Sequence, residues 1–172
     1  SILNCKTNVQ VVRKQEWGDW RSSFWRFEPM SEEAVEVMIS RDCDSRLNKR
    51  EKDAVNEWME SDCGFHIMKD HPWHFTYPIL AGMFGCKKGT LKNLDQDITN
   101  FNKVDWYHTD QEFLKSFVHP RIMNDCLTHD SINNTGKKFP SSREKLEFIG
   151  ESFDENDNNV PEHTDVLRRS LG

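Results

Sequence analysis

The sequence has no apolar run long enough to cross a membrane and no excess of basic residues. Its longest apolar stretch, from Pro78 to Cys86, is far shorter than the roughly 20 residues that a bilayer requires. Because 23 Lys and Arg face 29 Asp and Glu, the formal net charge is −6, which argues against a broad nucleic-acid-binding surface. We therefore expect no membrane span and no nucleic-acid partner, and any bound anion should occupy a local basic pocket.

The motifs of three common enzyme classes are also absent. The chain has no Gly-x-Ser-x-Gly elbow, no Gly-x-Gly-x-x-Gly and no Walker-type phosphate loop. His129-Asp130-Ser131 contains the residue types of a hydrolase triad, but adjacent residues cannot ordinarily form that relay. A serine hydrolase is therefore excluded, and nothing in the sequence indicates a dinucleotide-binding or P-loop enzyme.

The cysteines do not form a disulfide framework. They lie at positions 5, 43, 63, 86 and 126, an odd number with no repeated spacing. This pattern favours a reducing compartment, and we expect a cytoplasmic location. The chain begins with Ser1 and a segment that lacks an apolar signal core, which is typical of an excised or processed piece. If a targeting segment was removed, a Golgi-type or virion location stays open.

Aromatic residues are abundant. Six Trp, two Tyr and eleven Phe are enough to build a core at this length. We predict a single domain over residues 1–172, with its core at about 20–153 and a mobile tail at 154–172. The oligomeric state is left open.

The hydrophobic pattern predicts alternating strands and helices. The predicted strands cover 2–12, 34–39, 65–68, 79–86, 125–128 and 145–149. The predicted helices are an aromatic one ended by Pro29, one that Asn48 caps and that ends near Gly64, one capped by Thr90, and one over 110–118 that ends before Pro120. Residues 131–143 and 154–165 are predicted loops. This alternation favours an α/β sheet with its ligands beyond the carboxyl ends of the strands.

The triplet Asp42-Cys43-Asp44 follows a predicted apolar strand directly. Two carboxylates one residue apart on a loop can share Mg²⁺ or Mn²⁺ and leave open positions for substrate phosphates. An acidic turn in which Asp44 or Ser45 helps to cap the next helix explains the same residues.

Arginines are concentrated around this acidic loop. In an acidic chain, such clustering suits a diphosphate held between a metal ion and guanidinium groups. Ordinary ion pairing is the alternative, and for Arg26, between Trp25 and Phe27, structural stacking is equally open. The arginines concerned are Arg21, Arg26, Arg41, Arg46 and Arg50.

A second cluster offers a rival site. Cys63, His66, His71 and His74 include C-x2-H and H-x2-H pairs that could hold zinc in a structural or interaction module. Their spacing is not a common zinc-finger pattern, and a strand through His66 would point Cys63 and His66 in different directions. His71 or His74 in the wall of a substrate pocket, or as a packed core imidazole, is the other interpretation.

Taken in order, several motifs resemble a GT-A-type glycosyltransferase. They are Trp25-Arg26-Phe27, Asp42-Cys43-Asp44-Ser45-Arg46, Ala81-Gly82-Met83-Phe84-Gly85, Asp110-Gln111 and His129. The resemblance spans about residues 20–153. It is to glycosyltransferase-like proteins of viral and microbial genomes with an RD-x-DSR motif and, more distantly, to retaining galactosyltransferases and the glycogenin group.

The resemblance implies a GT-A-like, Rossmann-type mixed sheet flanked by helices, and it implies roles for individual residues. Asp42, Asp44 and His129 would hold Mn²⁺ or Mg²⁺, and Arg26 would contact the donor diphosphate. Gly82 would lie on the sugar-facing loop, and Asp110 and Gln111 would be the catalytic pair beside the transferred sugar. The other candidate donor-binding residues are Arg41, Arg46, Asp42 and His74.

The implied activity is transfer of a sugar from a nucleotide-diphosphate donor, a UDP-sugar, to a glycan, protein or small-molecule acceptor. The family favours retention, whereas Asp110 or Glu112 as a base keeps inversion open.

The family's first strand-helix unit is not recognisable before Trp20, and no Lys-Pro-Trp tail follows His129. The chain is then either a truncated domain or one with a reduced nucleotide pocket, and an inactive nucleotide-binding relic is an alternative.

Overall fold

The computed structural model describes residues 6–15 and 18–172. The strands in these residues are β1 (Val37–Arg41), β2 (Phe65–Lys69), β3 (Met83–Lys87) and β4 (Cys126–Asp130). The α-helices are α1 (Lys49–Glu60), α2 (Leu94–Asn100), α3 (Thr109–Phe113), α4 (His119–Ile122) and α5 (Pro161–Leu171). A 3-10 helix spans Trp20–Ser31, a shorter one spans Pro72–Phe75, and a π-helical turn over Leu114–Val118 joins α3 to α4.

The four strands form one mixed sheet in the order β1-β3-β2-β4. Strand β3 is antiparallel to both of its neighbours, whereas β2 and β4 are parallel. The carboxyl ends of β1, β2 and β4 therefore share one edge of the sheet, and the acidic loop leaves β1 at that edge. The predicted fold class, a mixed α/β sheet flanked by helices, is confirmed.

Aromatic side chains cover one face of the sheet. The long 3-10 helix and α3 pack there, and the buried Phe27 ring lies 6.2 Å from Phe84 and 5.4 Å from Phe113. Fully burying a side chain of this size contributes roughly 1.5–3 kcal/mol to stability. This packing fixes the 3-10 helix against the sheet, so that its opposite side can contribute to a pocket.

Helix α1 covers the other face. It begins where the Asn48 side chain accepts a hydrogen bond from the Glu51 backbone N–H (2.9 Å), as the sequence predicts. Its Trp58 is fully buried and stacks on His66 of β2. A Cβ at Gly85 would come within 2.7 Å of the Trp58 ring, so this close packing requires glycine at position 85.

Two predicted elements near the amino terminus need correction. Residues 2–5 of the predicted first strand lie outside the described residues, and residues 6–12 form no strand. Val12 is 64% exposed there, since no neighbouring strand pairs with it. The aromatic helix is of the 3-10 type and continues through Pro29 to Ser31.

Later predictions are corrected in the same way. The helix after α3 passes Pro120 because the π-helical turn places that proline in the first turn of α4, where its missing N–H costs little. Thr90 does not cap α2, whose first residue follows Asn93. Residues 145–149 form turns rather than a strand, and the predicted loop over 154–165 is wrong from Pro161, where α5 begins. No helix in the described part of the chain is long and apolar enough to cross a bilayer.

Candidate functional site

A pocket of about 560 Å³ lies at the edge of the sheet where β1 ends. Its walls come from the long 3-10 helix, the acidic loop, the segment before β3, the start of α3 and residues 150–152. It brings together seven of the residues that the sequence singled out. These are Arg26, Asp42, Asp44, His74, Gly82, Asp110 and Gln111.

Arg26 lies between two carboxylates. Its Nη1 is 3.2 Å from Asp42 Oδ1, and its Nε is 3.7 Å from Asp110 Oδ2. The side chain faces the pocket because Phe24 and Phe27 occupy the opposite, core-facing side of the same 3-10 helix. The guanidinium therefore links the acidic loop to the start of α3.

Asp42 is held against a glycine. A Cβ at Gly82 would come within 2.1 Å of Asp42 Oδ2, so any other residue at position 82 would displace this carboxylate. The Asp42 carbonyl accepts hydrogen bonds from the Ser45 N–H (3.3 Å) and hydroxyl (2.9 Å), which close the turn. The Asp42 side chain stays about half exposed and can bind a ligand.

Residues 150–153 fasten the acidic loop from the other side. The Phe153 N–H donates to the Asp44 carbonyl (2.9 Å), and Ser45 forms an isolated β-bridge with Ser152. Both contacts are made by the backbone, so the exposed Asp44 carboxylate is not used in holding the loop. The acidic loop is thus fixed while its carboxylates remain accessible.

Asp110 is the buried carboxylate of the pocket. Burial raises its pKa, and the nearby Arg26 guanidinium partly opposes that rise. The Asp110 carboxylate also accepts a hydrogen bond from the Gln111 N–H (2.8 Å). The group is therefore oriented by α3 and faces Arg26 in a partly desolvated environment.

The Gln111 side chain contacts the backbone just before Gly82. With its amide oriented to satisfy the network, the NH₂ donates to the Ile79 carbonyl (3.0 Å) and the oxygen accepts from the Ala81 N–H (3.2 Å). Gln111 thus ties α3 to the segment that supports Asp42.

His129 does not lie in this pocket. It is on β4, the opposite edge strand from β1, and three strand spacings place it about 14 Å from the end of β1. Both of its ring nitrogens are engaged, with His66 Nε2 (2.8 Å) and with Glu57 Oε2 (2.7 Å). The structure therefore does not bring His129 together with Asp42 and Asp44.

Arg41 and Arg46 also point away from the pocket. Arg41 pairs with Glu51 of α1 and donates to the Phe84 carbonyl (3.2 Å), so it closes the end of β1 onto the helix. Arg46 pairs with Asp157 and lies over the Phe153 ring. Neither lines the pocket, because Arg41 is held by Glu51 and Arg46 by Asp157.

The rival cysteine and histidine cluster is not assembled. His66 contacts His129, whereas His71 accepts from the Trp73 N–H (3.2 Å) and contacts the His163 carbonyl (2.9 Å). His74 lies at the back of the pocket, accepts from the Asp70 N–H (3.0 Å) and has its pKa lowered to about 3 by burial. Within residues 6–15 and 18–172, no group of three or more His, Cys, Asp or Glu could hold a metal ion.

A larger cavity, of about 1260 Å³, lies between residues 10–15 and the long 3-10 helix. Its Lys14 and Glu28 pair with each other at 2.5 Å. It contains none of the residues that the sequence singled out as donor-binding, metal-binding or catalytic, and the smaller pocket is therefore the candidate site.

The sequence interpretation missed one wall of the pocket. Trp20, Tyr77, Tyr107 and His108 line it beside Arg26 and Asp110, and we call these four residues the aromatic wall. The run Trp106-Tyr107-His108, which Thr109 separates from Asp110, was the signal that could have revealed it.

No protein-family model matches the chain, and no curated protein does. Among solved structures, the chain is similar to the crystal structure of a glycosyltransferase involved in the glycosylation of the major capsid of the virus PBCV-1, with a TM-score of 0.51 and 20% identity. The similarity covers 69% of this chain and 63% of that one, so the chain spans less than two thirds of the structure it matches. At this identity the likeness shows a glycosyltransferase-like fold.

Proposed function

We propose that this chain, whose fold is similar to that of a viral glycosyltransferase, transfers a sugar from a UDP-sugar to an acceptor with Mn²⁺ or Mg²⁺ bound. The observation that carries the proposal is the position of Arg26 between Asp42 and Asp110, in a pocket at the carboxyl edge of the sheet. That arrangement offers anionic ligands for a cation and a guanidinium for a diphosphate within one site.

Asp42 and Asp44 would hold the cation. Their oxygens are the hard ligands that Mg²⁺ and Mn²⁺ prefer, both side chains are accessible, and the pocket beside them is open. The acidic loop supplies two carboxylates, and the third carboxylate of the pocket, Asp110, pairs with Arg26, so the remaining positions would be filled by water and by phosphate oxygens. When bound, the cation would supply electrostatic stabilisation to the diphosphate leaving group.

Arg26 is placed to stabilise the same leaving group. Its planar guanidinium can make two parallel hydrogen bonds to phosphate oxygens, which the ammonium of lysine cannot. As the bond from the sugar to the diphosphate breaks, negative charge develops on the diphosphate, and a positioned guanidinium stabilises it. If Asp42 were to bind the cation instead of Arg26, the contact with Asp110 would still hold the Arg26 side chain in the pocket.

Asp110 and Gln111 are assigned to the sugar end of the pocket. The partly desolvated Asp110 carboxylate can stabilise positive charge that develops at the sugar, a role that suits retention of configuration. Gln111 would act as a positioning residue, because its amide holds the backbone at Ile79 and Ala81.

Asp42→Asn and Asp44→Asn should each weaken metal-dependent UDP binding by about tenfold or more, since each removes one of two charged ligands while roughly preserving shape. Unmodified protein should be stabilised by about 2.7 kcal/mol when UDP and Mn²⁺ exceed the dissociation constant a hundredfold. Isothermal titration and thermal melting measure the two effects. Asp62→Asn, an exposed carboxylate outside the pocket, is the matched control. Undiminished binding in both site variants would show that the cation site lies elsewhere.

Gln111→Ala should lower sugar transfer and slow donor hydrolysis by about tenfold while leaving the affinity for UDP nearly unchanged. It should also cost about 1–3 kcal/mol of stability, because the Ile79 carbonyl and the Ala81 N–H lose their partner. Hydrolysis of a panel of UDP- and GDP-sugars, assayed below the melting temperature, tests this. An unaltered turnover would contradict the assignment. If the unmodified chain binds UDP and hydrolyses no donor, the inactive-relic alternative replaces catalysis.

A further inference from the structure

The aromatic wall is a connected group of rings at the pocket. The Tyr107 ring centroid lies 4.7 Å from that of Trp20 and 4.5 Å from that of His108, and His108 lies 5.5 Å from Tyr77. Trp20 is 50% exposed and Tyr107 is 59% exposed. Large aromatic side chains that are exposed together typically mark a binding surface.

The wall is held in place by the backbone around it. The Trp20 N–H donates to Asp105 Oδ1 (3.0 Å), which joins the start of the long 3-10 helix to the segment before α3. The Thr109 N–H donates to the Trp106 carbonyl (3.0 Å) and closes the turn that carries Tyr107 and His108. Rigid aromatic side chains lose little entropy when a ligand packs on them.

The period of the 3-10 helix places this wall beside Arg26. Three residues per turn put Trp20, Ser23 and Arg26 on one face, and all three line the pocket. The wall is also close in sequence to the start of α3, since Tyr107 precedes Asp110 by three residues. The wall therefore adjoins the end of the pocket that we assign to the transferred sugar.

A polar group under the wall has no partner. The Ser23 hydroxyl oxygen is buried and makes no hydrogen bond among the described residues. The Tyr77 and Tyr107 hydroxyls and the His108 ring add donors and acceptors to the same wall. Flat apolar faces edged by hydroxyl-binding groups match a sugar ring, which has a C–H face and a rim of hydroxyl groups.

We propose that the aromatic wall binds the acceptor and that the acceptor is a neutral saccharide, an inference that rests on the proposed function. Charged groups beside the wall are already paired within the chain, Arg26 with Asp42 and Asp110 and the Asp105 carboxylate with the Trp20 N–H, which favours an uncharged ring over an acidic or basic one. The acceptor ring packs on Trp20 and Tyr107 and presents a hydroxyl toward the sugar end of the pocket, next to Asp110.

Saturation-transfer NMR on the full chain tests this assignment, with lactose, maltotriose and xylotriose as probes in the presence of UDP and Mg²⁺. At least one probe should bind the unmodified protein. Tyr107→Ala and Trp20→Ala should each weaken that binding by about fivefold or more, whereas Tyr107→Phe should retain most of it. The matched control is Trp73→Ala, because Trp73 is 41% exposed but lies outside the pocket. The UDP affinity of every variant is measured in parallel by titration.

Two outcomes overturn the inference while the proposed function stands. In the first, UDP and Mg²⁺ bind while no probe binds at the wall. In the second, Tyr107→Ala weakens the binding of UDP rather than of the saccharide, which would mean that the wall stacks the nucleobase. The converse result, saccharide binding that depends on Tyr107 in a chain with no affinity for UDP, contradicts the proposed function and leaves a saccharide-binding module.

Discussion

Replacing Asp70 with Ala should lower the free energy of unfolding by about 3–5 kcal/mol, a large share of the 5–15 kcal/mol typical of a domain. Asp70 is fully buried, and its Oδ1 accepts from Arg50 Nη2 (2.9 Å) and from Arg143 Nη2 (2.7 Å). Without the carboxylate, two largely buried guanidinium groups lose their counter-charge. The Ile149 N–H, which donates to Asp70 Oδ2 (3.0 Å), loses its acceptor as well.

Urea unfolding at pH 7 measures this loss. Asp70→Asn keeps the volume and a hydrogen-bond acceptor but not the charge, so a similar loss in that variant assigns the effect to the ion pairs. Asp62→Ala, an exposed carboxylate, should change stability by less than about 0.5 kcal/mol. A loss below about 1 kcal/mol in Asp70→Ala would mean that water reaches the two arginines and compensates them.

Acidification from pH 7 to pH 5 should lower the free energy of unfolding by about 3–4 kcal/mol through His66 and His74 alone. Burial lowers the pKa of each imidazole from 6.5 to about 3, so both stay neutral in the folded chain. The unfolded chain takes up protons below about pH 6.5. This stabilisation is therefore complete above that pH and is lost progressively as the pH falls towards 3.

Urea titrations at half-unit steps between pH 7.5 and 4.5 give the slope of the free energy of unfolding against pH. NMR of the imidazole carbons shows whether both rings stay neutral until the chain unfolds. His66→Gln should make this slope shallower, because the variant takes up about one proton fewer on unfolding at low pH. A stability that stays constant over this range would contradict the prediction. Titration of either ring near pH 6.5 in the folded chain would contradict the explanation that burial keeps both imidazoles neutral.

Local signals in the sequence predicted the parts of the site that local structure determines. Asn48 caps α1 through a hydrogen bond to a residue three positions away, and Asp42 follows β1 directly, so the strand-loop-helix unit around the acidic pair could be located from spacing alone. The pairing of Arg26 with Asp110 is different. It depends on the packing of the 3-10 helix against α3, which no local pattern encodes.

His129 shows that the order of motifs along the chain is not enough to predict which residues share a metal site. Its place after the other motifs resembles that of a metal ligand, but ligand geometry depends on strand order, and β2 and β3 separate β4 from β1. Arg41 illustrates the same point at shorter range. It adjoins Asp42 in sequence, yet its side chain is used to hold Glu51.

The pocket also determines when the chain can bind a ligand. Its walls begin at Trp20 and end at Ser152, and the acidic loop is fastened only when Phe153 reaches the Asp44 carbonyl. During synthesis, a nascent chain released as far as helix α4 already holds the acidic pair and Arg26 but has no closing wall. Ligand binding is then a late event, because it requires a contact between Phe153 and Asp44, which lie far apart in the sequence.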